Sequence, residues 1–283
     1  MSSLVVESLK NFLTNGRSIF PFTLHQLPID GVPVTSNQGT ASFTSGAKIS
    51  AANQIHVYRG TLLLEGSSID VVVKFDFHNS RHMDLVKEAK YYENQAKKLQ
   101  GTVVPTFFGI YHATVNERVI TCLVLEDCGS PMETWLHDAS VEFCFQVAKL
   151  LMQLHDAGIQ HNDISEVNIV IKDNKPRLID LSHATPHKCD RTEDIEPGKL
   201  RPDALKFACT ELHDFASEHG IWEATDIFYY GAVIPKQFVT SAEDLLAMTP
   251  PYLIRTPKGR DRILREASEL LKQVGITEST LSG

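Results

Sequence analysis

Apolar residues along this chain follow two rhythms, and the change between them falls near Gly129. Between about residues 50 and 128 they come in short strand-like runs. "IHVYRGTLLLEGSSIDVVVKFDF" gives two such runs, 55–64 and 69–77, and Gly66-Ser67-Ser68 between them reads as a hairpin turn. "HMDLVKEAKYYENQAKKLQG" follows as a predicted helix, with Gly101 placed to stop it. "VVPTFFGIYHATV" and "RVITCLVLEDCG" then supply two more apolar runs. This region predicts a small, mostly antiparallel sheet carrying one helix.

After Gly129 the spacing turns helical. Over 140–157, Phe143, Val147, Leu150, Leu151 and Leu154 share one face, with Ser140 as N-cap. Segments 203–219, 241–247 and 259–274 also read as helices, and two short strands flank the turn "KDNKP". Ahead of the sheet, residues 3–13 read as a short amphipathic helix and 35–46, "TSNQGTASFTSG", as a polar loop. The expected plan is α+β: an N-terminal extension (1–46), a β-rich lobe (47–128), a linker near 127–133 and a mainly helical lobe (129–283).

Composition narrows the function. The 283 residues are 42% hydrophobic and 22% charged, enough for a large core without staples. A formal net charge of −8 argues against gripping nucleic acid or an anionic membrane surface, so neither is an expected partner. Five scattered cysteines without a C-x-x-C pair suit a reducing compartment. "MSSLVVESLKNFL" does not read as a signal peptide, and no window is apolar enough to span a bilayer, so the expected location is the cytoplasm or nucleus.

The candidate chemistry lies in "IQHNDISEVNIVIKDNKPRLIDLSHA", residues 159–184. Asp163 and Asn168 form an H-x-D-x-x-x-x-N pattern with His161, and Asp180 ends the next strand in "LIDLS". Hard oxygen donors in this number suit Mg²⁺, which takes one or two carboxylates and completes its shell with waters and phosphates. A further carboxylate that is not a ligand can orient an attacking hydroxyl. His161 reads as a brace for the loop. In "HATPHKC", His183, His187 and Cys189 read as a plain loop, because no second cluster accompanies them.

This constellation resembles the protein-kinase-like superfamily over most of residues 50–185. The resemblance implies a bilobal protein-kinase-like fold, with the small antiparallel sheet and its helix as N-lobe and a mainly helical C-lobe. It also implies ATP and Mg²⁺ as cofactors. By that likeness Asp163 is the catalytic-loop aspartate, and Asn168 and Asp180 are the metal ligands. Lys74 in "VVVKF" is the strand lysine on the α- and β-phosphates. Glu88 is its helix partner, with Glu93 as the alternative. Glu126 and Cys128 occupy the hinge, where a carbonyl and an amide meet the adenine edge.

The chain also departs from the pattern. Ser50, Ala52 and Ile55 stand where three phosphate-covering glycines are expected; Ile55 hinders close approach of the backbone, while the small Ser50 and Ala52 keep part of the clearance and remain expected nucleotide-binding positions. Asn162 replaces the arginine of H-R-D, which removes the usual grip on a phosphorylated activation loop. "DLS" replaces D-F-G. "DISEVN" is similar to the loop of RIO-type kinases, and the losses are similar to those of aminoglycoside and choline phosphotransferases. "LQGTVVPTFFGIY", "LEDCGSP" and "IDLSHA" together resemble small kinase-like proteins of mushroom-forming fungi. Two functions stay open at this point: phosphoryl transfer from ATP to a hydroxyl of a protein or small molecule, and a pseudokinase scaffold that binds nucleotide or partners. The acceptor and the oligomeric state are unspecified.

Overall fold

The computed structural model describes residues 3–9, 20–29, 39–52, 54–115 and 117–276. They belong to two compact units, Met1–Arg191 and Thr192–Gly283.

The first unit is built on a closed barrel. Its strands are β1 (Ser3–Val6), β2 (Phe22–Gln26), β3 (Thr40–Ala52), β4 (Ile55–Leu64), β5 (Ser67–Asp76), β6 (Phe107–Val115) and β7 (Arg118–Glu126), in the order β1-β2-β6-β7-β5-β4-β3. Closure comes from β1, which runs antiparallel to β2 and parallel to β3. With both edges paired, no row of backbone N–H and C=O groups in this sheet is left open to solvent. Alternation then sorts the side chains. Leu4, Val6, Phe22, Leu24, Phe43, Tyr58, Val73, Phe75, Tyr111 and Cys122 point inward and form one buried core. Phe75 and Phe77 stack at 5.1 Å within it.

This closed barrel replaces the small, mostly antiparallel sheet expected for an N-lobe. Fourteen strands and six α-helices among the described residues likewise replace two lobes with a mainly helical second one, although the class remains α+β. The misreading begins at the N-terminus. Ser3–Val6, assigned to a helix, is a strand whose burial alternates residue by residue. Four residues are too few for a period of 2 to stand out from helical spacing. Thr40–Gly46, read as polar loop, lies in β3 because Ala41 and Phe43 fill the barrel. Residues 10–13 and 35–38 of those two assignments lie outside the described residues.

Helix α1 (His82–Glu93) packs on the outside of β6 and β7. The buried Asp76 carboxylate, at the end of β5, accepts hydrogen bonds from the backbone N–H of His78 (2.9 Å) and Arg81 (2.7 Å), which turns the chain into the helix. The predicted run to Gly101 is not continuous: α1 ends at Glu93 with Asn94 as its C-cap, and Gln95–Leu99 is a separate 3-10 helix.

Past Gly129 the chain keeps returning to strands: β8 (Ser130–Pro131), β9 (Ile159–Gln160), β10 (Ile169–Lys172), β11 (Lys175–Leu178) and β12 (Thr185–Pro186). Helix α2 (Val141–Asp156) starts as expected, with the Ser140 hydroxyl accepting from the Phe143 N–H at 3.2 Å. β8, β10 and β11 form one sheet, and β9 pairs with β12.

In the second unit, the expected helix 203–219 divides into α3 (Ala204–Phe207) and α4 (Thr210–Glu218) around Ala208, whose φ of 62° is left-handed. Phe207 packs edge-on against Trp222 there. A hairpin of β13 (Asp226–Tyr229) and β14 (Ala232–Pro235), with α5 (Ala242–Ala247) and α6 (Pro257–Gln273), encloses a separate core around Ile227, Leu245, Ala267 and Leu271.

Because the N-terminal strand closes the barrel, truncating its inward side chain is felt throughout the core. Leu4 is fully buried, so Leu4→Ala is expected to lower unfolding free energy by about 2–5 kcal/mol in urea denaturation. An unchanged midpoint contradicts β1 as part of the barrel.

Candidate active site

The site is assembled from one face of the barrel, one helix and one hairpin, all within the first unit. Lys74 pairs across β5 with Val57 and Leu123, and Val57 pairs in turn with Ser50. Directly opposed residues share a face, so this row lies on the outer surface, turned away from the barrel core. There α1 covers it. Lys74 Nζ reaches both carboxylate oxygens of Glu88 at 2.9 Å, which selects Glu88 over Glu93 as its partner. Nζ also lies 3.3 Å from Asp180 Oδ1.

The hairpin β10–β11 brings the acidic residues together. Ile169 opposes Leu178, and the turn residues Asp173 and Asn174 both have positive φ, the geometry of a tight type I′ connection. Asn168, just before β10, therefore sits beside Ile179 and Asp180, just after β11, and its carbonyl accepts the Ile179 N–H at 3.0 Å. The Asn168 side-chain amide donates at 2.8 Å to both the backbone oxygen and a carboxylate oxygen of Asp163. One asparagine thus links Asp163 to Ile179, the residue that precedes Asp180. The buried His161 ring donates from Nε2 to the Ile179 carbonyl at 3.0 Å, bracing the same junction.

Asp180 has φ of 65°, a left-handed conformation that costs a non-glycine residue about 1–2 kcal/mol. The surrounding contacts hold it there. Leu181 N–H donates to the Glu88 carboxylate, Lys87 Nζ to the Ser182 carbonyl at 2.8 Å, and the Tyr91 hydroxyl to the Ala184 carbonyl at 3.1 Å. Helix α1 therefore grips the residues after Asp180 through three successive contacts. Sequence reasoning missed Lys87, since nothing in its spacing distinguishes it from an ordinary helix residue.

Asn162, in place of the expected arginine, also has left-handed φ (63°), which asparagine tolerates better than most residues. Its amide donates to Thr185 Oγ1 at 2.8 Å and ties the loop to β12.

Charge follows from this packing. Burial disfavours the Lys74 ammonium, but the Glu88 and Asp180 carboxylates outweigh it and hold its pKa above the ordinary value. Burial also raises Asp180, yet Lys74 and the Ser182 hydrogen bonds prevail and bring it down to about 2. Glu88 goes the other way: burial, with the nearby Asp180 charge, overcomes Lys74 and lifts it to about 7. Lys74 and Asp180 are thus held charged at neutral pH, while burial works against ionisation of Glu88. A buried pair of this kind is not a source of stability, because desolvation cancels the attraction.

The hinge segment is fixed from two sides. Asp127 takes an ion pair from Arg59 (2.8 Å) and accepts the Gly129 N–H, while Lys172 Nζ donates to its carbonyl at 3.0 Å. The Glu126 carboxylate is used structurally, accepting from both the N–H and the hydroxyl of Thr106. The Cys128 amide has no hydrogen-bond partner among the described residues, and so can donate to a ligand. Its thiol is pushed up to about 12 by burial and by Glu126 and Asp127, which leaves it unreactive. Ser50 is exposed near the end of the β3–β4 hairpin, whose ladder runs to Ala52 opposite Ile55. The paired strands therefore continue, without glycine, where a glycine-rich segment would let the backbone approach phosphates.

Two expectations follow. A Cβ on Gly129, whose φ is +101°, would lie 2.0 Å from the Ile171 carbonyl oxygen, so Gly129→Ala is expected to destabilise by more than about 2 kcal/mol in urea unfolding. A midpoint equal to wild type contradicts that packing. For Glu88, a carboxylate raised from 4.5 to about 7 holds a proton in the folded chain that the unfolded chain has released. Its contribution is fully present below 4.5 and is lost as pH rises through about 7. The stability of wild type minus that of Glu88→Gln should fall over this window. A difference independent of pH contradicts the assignment.

The description "fungal protein kinase" belongs to a family model that matches residues 33–230, a span that contains every residue of this site. No curated protein matches the chain. No helix among the described residues is long and apolar enough to cross a membrane. With that match covering well over half its length, the chain belongs to the fungal protein kinase family.

Proposed function

We propose that the protein is an ATP- and Mg²⁺-dependent phosphotransferase that delivers the γ-phosphoryl group to a hydroxyl of a protein or small molecule. The observation that carries this reading is the buried Lys74 ammonium held between Glu88 and Asp180. A positive charge fixed at the mouth of an acidic hairpin suits a polyphosphate bridged by a divalent cation.

The donor set fits such a group. Asp180 is ionised at any physiological pH, and Asn168 has committed its amide nitrogen to Asp163, which leaves its amide oxygen for a cation. Asp180 and Asn168 would hold Mg²⁺, and Lys74 would neutralise the α- and β-phosphates. The Glu126 carbonyl and Cys128 amide would read the adenine edge. When bound, Mg²⁺ shields charge on the phosphates and orients the triphosphate. Asp163 is exposed, with one carboxylate oxygen tethered by Asn168, and takes the proton of the acceptor hydroxyl as that hydroxyl attacks. Positioning and charge complementarity supply most of the rate in such a reaction. "DISEVN" resembles the RIO-type loop, and Ser165 in it stands where protein kinases carry a lysine.

The missing glycines at Ser50, Ala52 and Ile55, with "DLS" in place of D-F-G, favour a second reading, a pseudokinase that binds nucleotide or a partner without turnover. Incubating the protein with γ-labelled ATP and a cell extract separates the two. Label is expected in a specific acceptor, and Asp163→Asn is expected to reduce transfer by about 10²–10⁴-fold. Transfer undiminished in Asp163→Asn contradicts the role of Asp163. Absence of any transfer by wild type favours the scaffold.

A further inference from the structure

Away from the phosphate site, the end of α2 and the segment after β12 converge on a second cluster. His155 is buried in the last turn of α2, and its ring meets that of His187 edge-on with centroids 4.6 Å apart. Cys189 follows two residues later, and one donor atom from each of the three lies within 4.8 Å of the other two. The backbone fixes this approach. Gly158 N–H donates to the His155 carbonyl at 2.9 Å, and His187 N–H donates to the Gly158 carbonyl at 2.9 Å. Thr185 and Pro186 pair with Gln160 and Ile159 just ahead of it. The loop carrying His187 and Cys189 is thereby stitched to the helix carrying His155.

We propose that His155, His187 and Cys189 form a binding site for a zinc-type divalent ion, separate from the Mg²⁺ site of the proposed phosphotransferase. The donor chemistry decides the class of ion. Two imidazoles and one thiolate are borderline-to-soft ligands, matched to zinc and mismatched to Mg²⁺ or Ca²⁺, which take oxygen. Ligands at tetrahedral angles around zinc stand roughly 3.3–3.5 Å apart, so donor atoms within 4.8 Å of one another close onto an ion by side-chain adjustment. Cys189 binds as thiolate, releasing its proton to solvent, and one further donor completes the tetrahedron. Arg191 sits behind the sulfur, with its guanidinium 3.5 Å from Cys189 Sγ and ion-paired to Asp156 at 2.7 Å. It stays there as a hydrogen-bond donor to the coordinated sulfur, the kind of outer contact that orients a ligand. The ion ties the C-terminus of α2 to the strand leaving the Asp180 segment, and so stiffens one support of the phosphate site from outside it.

Metal stripped from the full chain and replaced by titration tests this, with Zn²⁺ competed against a chromophoric chelator and Co²⁺ followed by absorption, both in excess Mg²⁺. One ion per chain is expected, and the Co²⁺ adduct should show a thiolate-to-cobalt band in the near ultraviolet. Cys189→Ser should abolish that band, and His187→Asn, at a partly exposed loop position, should weaken Zn²⁺ binding by roughly ten-fold or more. Wild-type protein that retains no ion, or variants that bind Zn²⁺ and Co²⁺ as wild type does, would overturn the proposal.

Discussion

A single ammonium group organises the first unit. Lys74 lies at the meeting of a barrel strand, a helix and a hairpin, and each contributes one part of its surroundings. Burying that charge is tolerable only because Glu88 and Asp180 stand opposite it. The geometry around it follows from this demand. β5 ends in Asp76, which starts α1 at the right point to present Glu88; α1 in turn clasps Leu181, Ser182 and Ala184, which keeps Asp180 in its left-handed conformation. Loosening any of these contacts leaves a charge in a dry place.

The hairpin β10–β11 solves the complementary problem of gathering acidic and amide oxygens. A two-residue turn places Asn168 beside Ile179, and the Asn168 side chain then spans to Asp163. Burial of the Lys74–Glu88 pair works against the ionised form of Glu88, so the packing that creates the site is not arranged for stability alone. Strain and desolvation are concentrated where a polyphosphate would supply compensating charge, the usual place for such costs.

Much of the site was legible in the chain because its residues end strongly patterned strands. "VVVKF" announces Lys74, and "RLID" announces Asp180. Glu88 was the preferred partner of Lys74 and is the one found, while Glu93 stayed open because the rotation of α1 against the barrel is set by Asp76, outside the helix. The barrel itself was hidden for a different reason. Its closing strands are short, and β1 and β2 are recognisable only through their partners β3 and β6, far along the sequence. Long-range pairing leaves no local periodicity. In the same way His155 lies 32 positions before His187 (187 − 155), so "HATPHKC" read alone gave an ordinary loop until the β9–β12 pairing brought α2 alongside.

The central claim is that Lys74, Asn168 and Asp180 together receive a metal-bound triphosphate. Thermal or chemical denaturation with and without ATP, each with and without Mg²⁺, measures this most directly. At a hundred times the dissociation constant, ATP with Mg²⁺ should stabilise the folded chain by about 2.7 kcal/mol, and Asp180→Asn should remove most of that gain. Stabilisation by ATP that is indifferent to Mg²⁺ and survives Asp180→Asn, or no stabilisation at all, would contradict the account.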